Sequence, residues 1–195
     1  SNNSEFDQYL KRFGYTFKNQ IKELGGYTIL RNKKIIFAAD IGSSPDKNFS
    51  YDYQAGALSF EIFSNDKKLI SNSGYFLNKN NKLNKLSKST ALHSTLIIED
   101  SSSCTFIKKN SNFIIKKGLK ISKKNIVFEN DYWKISAGHD GYLQNFGVNY
   151  EREIEFYPKQ KKFIGYDKLL RKNPKKNIKF DIRFHLDPNS KVMKT

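Results

Sequence analysis

"VNYEREIEFY", residues 148–157, decides the fold. Val148, Tyr150, Arg152, Ile154 and Phe156 share one parity, and Asn149, Glu151, Glu153, Glu155 and Tyr157 share the other. A strand sends successive side chains to opposite faces, so this stretch predicts a β-strand with one dry and one wet face. The same grammar recurs on both sides of it. Downstream lie "KKFIGYDKLL" (161–170) and "IKFDIRFHLD" (178–187), with the basic turn "RKNPKKN" (171–177) between them. Upstream lie "YWKISAGHDGYL" (132–143), "NIVFEN" (125–130), "FIIKKGLKI" (113–121), "CTFIKK" (104–109) and "LHSTLIIED" (92–100). "GYTIL" (26–30) and "IIFAAD" (35–40), split by "RNKK", read as a hairpin. In "AGALSFEIF" (55–63), Leu58, Phe60 and Ile62 alternate with Ser59, Glu61 and Phe63, and "LISNSGYF" (69–76) opens a further strand. "IGSSPDKNFS" (41–50) and the Lys/Asn-rich "LNKNNKLNKLSK" (77–88) read as loops. Many short strands separated by turns predict an all-β, antiparallel sandwich or barrel. Residues 1–24 form a lead-in segment with room for a short N-terminal helix, and residues 25–195 form the β domain.

Composition agrees. The 195 residues suit one sizeable domain. Aromatics make up 14% of the chain, and Phe, Tyr and Ile together outnumber Leu and Ala, a mix that favours strands. The single cysteine, Cys104, excludes an internal disulfide framework. No apolar run is long enough for a membrane span, and the first residues carry no signal-peptide pattern. The formal net charge of +16 points to a polyanionic partner, although Lys and Asn are abundant along the whole chain and a solvated basic surface would give the same number.

Motifs for self-contained chemistry are missing. The sequence has no CxxC pair, no HExxH, no Asp-rich calcium loop, no P-loop and no dinucleotide fingerprint. Ser59 and Ser94 lack a nucleophile elbow. "FIIKKGLKISKKNIVF" interleaves basic and apolar residues, yet no RNA-binding signature accompanies it, so nucleic acid is the weakest of the polyanion readings.

Three patches occur in a recognisable order: "AGALSFEIFSNDKKLISNSG" (55–74), "TALHSTLIIEDSSS" (90–103), and "HDGYLQNFGVNYEREIEF" (139–156) with "IRFHLDP" (182–188) after it. Together they resemble the C-terminal β-sandwich domain of heparinase II/III-like proteins, from about Gly25 to the end. The resemblance implies a multi-stranded sandwich preceded in the parent protein by an α/α toroid, the two facing each other across a cleft for acidic polysaccharide. It implies β-elimination beside a uronic acid, with most catalytic groups drawn from the toroid. It also suggests a bacterial envelope or periplasmic setting.

Carried over position by position, the resemblance puts the family's catalytic histidine at Asp52 and its metal ligands at Gln54, Asn72 and His93. One imidazole remains and two amides stand where an imidazole and a carboxylate are expected. Neutral amides are poor zinc ligands, so the expectation is a degenerate, metal-free site in which the three side chains form a hydrogen-bonded cluster. His139, in "AGHDGY", is a candidate substrate contact or a turn histidine oriented by Asp140. Arg183 is a candidate partner for a substrate carboxylate, and Tyr51, Tyr53 and Trp133 are candidates for stacking on sugar rings or filling core. The expected function is the sandwich part of a polysaccharide lyase, incomplete without its toroid. The alternative is a non-catalytic sandwich that binds acidic glycan or another polyanion.

Overall fold

The computed structural model describes residues 3–14, 23–65, 67–78, 82–110, 112–171 and 177–193. Most of the basic turn at 171–177 and the middle of the lead-in segment lie outside these residues. The lead-in helix α1 spans Asn3–Arg12. Two four-stranded antiparallel sheets follow. The first contains β1 (Tyr27–Arg31), β2 (Ile35–Asp40), β3 (Phe60–Ser64) and β4 (Lys67–Ile70), in chain order. The second contains β8 (Ile121–Phe128), β9 (Trp133–His139), β10 (Val148–Tyr157) and β11 (Lys162–Arg171), again as neighbours in chain order. Between them, β6 (Thr105–Lys109) pairs with β7 (Asn112–Lys117), and β5 (Leu96–Ile98) pairs with the late strand β12 (Phe180–Ile182).

The β1–β2 hairpin and the entry to β10 have local causes. In β1–β2 the Asn32 side chain accepts hydrogen bonds from the amides of Lys34 and Ile35, both at 2.8 Å, which makes an Asx turn. The α3 turn (Leu143–Phe146) stops at Gly147, whose φ of 68° suits a residue without Cβ. It delivers the chain into β10, which alternates buried and half-buried along its whole length, as its parity requires.

The dry faces meet. Leu30, Phe37, Phe60 and Ile62 of the first sheet join Ile135, Val148, Ile154 and Phe156 of the second in one core. Phe156 stacks on Phe163 with centroids 4.2 Å apart and meets Trp133 edge-on at 4.9 Å. Trp133 is therefore core filling. This is a β-sandwich, as the patterning predicts.

Arg152 is the polar exception on the dry face. It forms a bidentate pair with Asp167 of β11 (2.7 and 3.2 Å) and donates to the carbonyls of Leu58 and Ser94 at 3.0 and 2.8 Å. Each nitrogen of the guanidinium fork thus donates to a fixed acceptor, which is the condition for burying the charge. The Leu58 carbonyl belongs to a residue at φ 62°, a left-handed conformation that costs a Leu about 1–3 kcal/mol and persists only where its surroundings hold it.

Two sequence expectations change. The expected loop at 77–88 contains a short helix, α2 (Lys82–Ser87), with Asn84 and Ser87 buried. The strand expected at 69–76 ends at Ile70, because the chain then turns across the sheet to bring Asn72 against β3.

Candidate functional site

The site lies on the outer face of the first sheet. Ala38 stands opposite Glu61 on β3, and Asp40 stands opposite Tyr27 on β1. Residues 38 and 40 share a parity, so these four side chains project together, away from the core. Ala38 is small and leaves a hollow there. Loops carrying Asp52–Gln54, Asn72–Gly74 and His93 wall it, giving a cavity of about 330 Å³. The structure thus gathers Asp52, Tyr53, Gln54, Asn72 and His93, which are separated in the sequence, around one space.

Their hydrogen bonds do not run to one another. Gln54 donates through Nε2 to the carbonyls of Gly74 and Ser87, both at 3.1 Å. Asn72 donates to Ser59 Oγ (3.2 Å) and accepts from the Ser94 amide at 2.8 Å. His93 donates from Nδ1 to the Ser89 carbonyl at 2.9 Å. Each side chain pins a loop to backbone, and no direct bond links the three among the described residues. The expected mutual cluster is replaced by three separate loop anchors that share a cavity.

His93 is 3% exposed, and burial pushes its pKa below the ordinary imidazole value. With Nδ1 as donor, the neutral ring keeps its lone pair on Nε2, which has no partner among the described residues. The ring lies against Gly56, where a Cβ would come within 2.6 Å of His93 Cδ2. Gly56 is therefore required for the ring to sit where it does.

The floor is acidic. Burial raises the Asp40 pKa to about 6, opposed by the Gly42 amide it accepts from at 3.1 Å and by the charge of Lys124. Glu61 accepts from the Asn72 amide at 2.9 Å, and Asp52 accepts from the Tyr75 hydroxyl at 3.0 Å. The Tyr53 hydroxyl is reached by Ser44 Oγ at 3.3 Å, and burial raises its pKa well above the normal phenol value, so it stays protonated. The loop that carries Asp52 is held from below by the buried Lys88, whose ammonium donates to the carbonyls of Tyr51 and Tyr53 at 2.5 and 3.1 Å.

A zinc ion does not fit this donor set. The Asn72 oxygen already accepts from the Ser94 amide, Gln54 offers only a neutral amide oxygen, and among the described residues no three His, Cys, Asp or Glu side chains stand close enough to share a metal.

The other candidates fall elsewhere. His139 is 2% exposed, with its ring between Tyr142 and Tyr150 and its Nδ1 accepting from the Gly141 amide at 3.1 Å. Burial pushes its pKa down to about 4. It is a neutral core histidine closing a turn, and a sugar chain cannot reach it. Arg183 lies away from the cavity, 3.4 Å from Asp100 and from Asp181. Tyr51 is exposed beside the cavity and holds Lys88 through its carbonyl.

Asp40, Glu61 and Tyr27 were not among the residues that sequence reasoning selected. Their one sequence signal is that Glu61 and Asp40 interrupt or close apolar runs.

The comparisons match this architecture. The family Heparinase II/III-like, C-terminal, covers residues 23–195. No curated protein matches the sequence. Among solved structures, heparan sulfate lyase HepC from Pedobacter heparinus aligns with a TM-score of 0.61 at 14% identity, over 86% of this chain and 27% of that one. Heparinase III aligns with a TM-score of 0.58 at 20% identity, over 88% of this chain and 28% of that one. The chain thus spans little more than a quarter of the length of these structures. With one family covering all but the first residues and both likenesses falling on the same sandwich, the chain belongs to the heparinase II/III-like proteins as their C-terminal domain.

Proposed function

We propose that this chain is the sandwich wall of a polysaccharide lyase that cuts uronate-containing acidic polysaccharide by β-elimination, and that it does not complete the reaction alone. Family membership, the likeness to a heparan sulfate lyase and the excess positive charge support the substrate class.

The observation that carries the second half is the charge of the cavity. β-Elimination requires a uronate carboxylate to be neutralised so that the neighbouring ring proton becomes acidic. A base then takes that proton, and an acid protonates the departing oxygen. Among the described residues the cavity is lined by Asp40, Asp52 and Glu61 and by no Lys or Arg, so this lining repels a uronate instead of neutralising it. His93, with its lowered pKa, is a weak base, and Tyr53 is locked as a phenol. The neutralising cation and the strong base must come from another part of the parent protein, the toroid that the resemblance implies.

The test is to add the 195-residue chain to heparan sulfate, chondroitin or alginate and follow the ultraviolet absorbance of unsaturated uronate. Binding without turnover is expected. Turnover by the chain alone overturns the claim of incompleteness, and absence of binding to all three overturns the carbohydrate reading.

A second reading, a non-catalytic binder of acidic glycan or another polyanion, is favoured by Asp52 standing where the resemblance puts a histidine. It differs in one outcome. Supplying the parent's upstream domain restores turnover under the first reading and not under the second.

A further inference from the structure

The acidic cavity holds four carboxylate or imidazole acceptor atoms without a donor among the described residues. Asp40, Asp52 and Glu61 each take one hydrogen bond through one oxygen, and the second oxygen of each has no partner among the described residues. His93 Nε2 is the fourth, on a side chain that is almost completely buried and faces the same space. These acceptors line the hollow instead of being sealed inside the protein, so their lone pairs are open to whatever occupies it. A ligand that donates is the natural complement.

The cavity rules out several classes of ligand. A carboxylate or sulfate would meet three carboxylates and, among the described lining residues, no Lys or Arg. A tightly held transition metal lacks a set of three close donors among the described residues. A primary ammonium has three donors, no acceptor and a positive charge, so it can serve three of these acceptors and is opposite in sign to the carboxylates. Tyr27 and Tyr53 add flat apolar wall to the same space, suited to the face of a ring. At about 330 Å³ the cavity is at the small end of ligand sites, which run to about 1,000 Å³, so it suits one ring and not a chain.

We propose that this cavity is a subsite for a hexosamine with a free amino group, its ammonium held among Asp40, Glu61 and His93. The proposal rests on the polysaccharide reading above and sharpens it. In a polymer that alternates uronate with amino sugar, the sandwich reads the amino sugar and leaves the uronate to the other wall of the cleft. An N-acetyl group removes the charge and two donors, and an N-sulfo group reverses the charge.

The experiment is calorimetric titration of the chain, in about 0.15 M salt, with three oligosaccharides of one uronate–glucosamine backbone. These carry the free amine, the N-acetyl group or the N-sulfo group. A glucosamine oligomer without uronate is the fourth probe. The free amine should bind at least tenfold more tightly than the N-acetyl form, and the N-sulfo form should bind no better than the N-acetyl form. This order runs against the net charge of the chain, which by itself would favour the sulfated probe. Equal affinities, or preference for the N-sulfo form, overturn the subsite while leaving the polyuronate reading intact. Binding of the uronate-free glucosamine oligomer alone keeps the subsite and overturns the polyuronate reading. No binding of any probe overturns both. Asp40→Asn with Glu61→Gln, isosteric changes whose folding is checked by circular dichroism, should abolish the preference for the amine. A preference that survives in the folded double variant overturns the assignment to these residues.

Discussion

Asp40 and His139 titrate over nearly the same pH range with opposite effects. The His139 pKa is pushed down to about 4, so as pH falls from about 6.5 the unfolded chain takes the proton first and stability is lost. Asp40 is pushed up to about 6, so over about pH 6 to 4 the folded chain takes the proton first and stability is gained. Each shift is worth of order 3 kcal/mol, at about 1.4 kcal/mol per pKa unit. The two largely cancel in the native protein. Asp40→Asn removes the gain, so this variant should be more stable than the native chain at pH 7 and should lose about 2–3 kcal/mol on acidification to pH 4. Urea midpoints at several pH values check this, and a native-like flat profile in the variant would refute it. The same residue scale carries a metal prediction. Elemental analysis of the dialysed chain should find zinc well below one equivalent, and stoichiometric zinc would show that Gln54, Asn72 and His93 ligate despite their bonds to other groups. The positions of these three were legible in the sequence through the family patches. Their actual hydrogen bonds were not, because each partner is set by loop geometry. Asp40 and Glu61 escaped because a charged residue on the wet face of a strand looks like ordinary solvation until a neighbouring loop roofs it.

The strands were legible wherever alternation was clean. β10 buries the parity that its letters mark, and the β1–β2 turn is fixed by Asn32. The α2 helix was hidden because its Lys/Asn-rich letters describe a polar loop equally well, and its buried residues, Asn84 and Ser87, are polar. Arg152 was visible as an inward-facing residue, but two of its acceptors, Leu58 and Ser94, lie 94 and 58 residues away in the chain. Removing one member of this network strands the other. Arg152→Met or Asp167→Leu should each cost about 3–5 kcal/mol in denaturant unfolding, and the loss of Arg152 also frees the strained Leu58. The double change Arg152→Met with Asp167→Leu should recover part of that loss, since no uncompensated charge remains. Additive costs would show that the pair is not coupled.

Across the whole molecule, charge and cavity disagree in sign. The chain carries +16, while its outer-sheet hollow gathers carboxylates. Long-range attraction and local recognition are therefore separable by salt. Affinity for heparin and for DNA should fall together as ionic strength rises, because both report the diffuse surface charge. Preference among amino sugars should persist, because partly buried groups are screened much less. A salt-insensitive affinity for heparin would mean that a dedicated anion site exists elsewhere on the surface.

Cys104 is the chain's one cysteine, 2% exposed in a satellite core beneath Tyr53, with its sulfur 3.4 Å from Ser44 Oγ. Burial raises its pKa, so the closed form presents an unreactive thiol. That gives the domain a built-in clock. A disulfide reagent can label it only when the layer under the hollow springs apart, so the labelling rate counts those openings directly, and any occupant that braces the Tyr53 loop should slow the count.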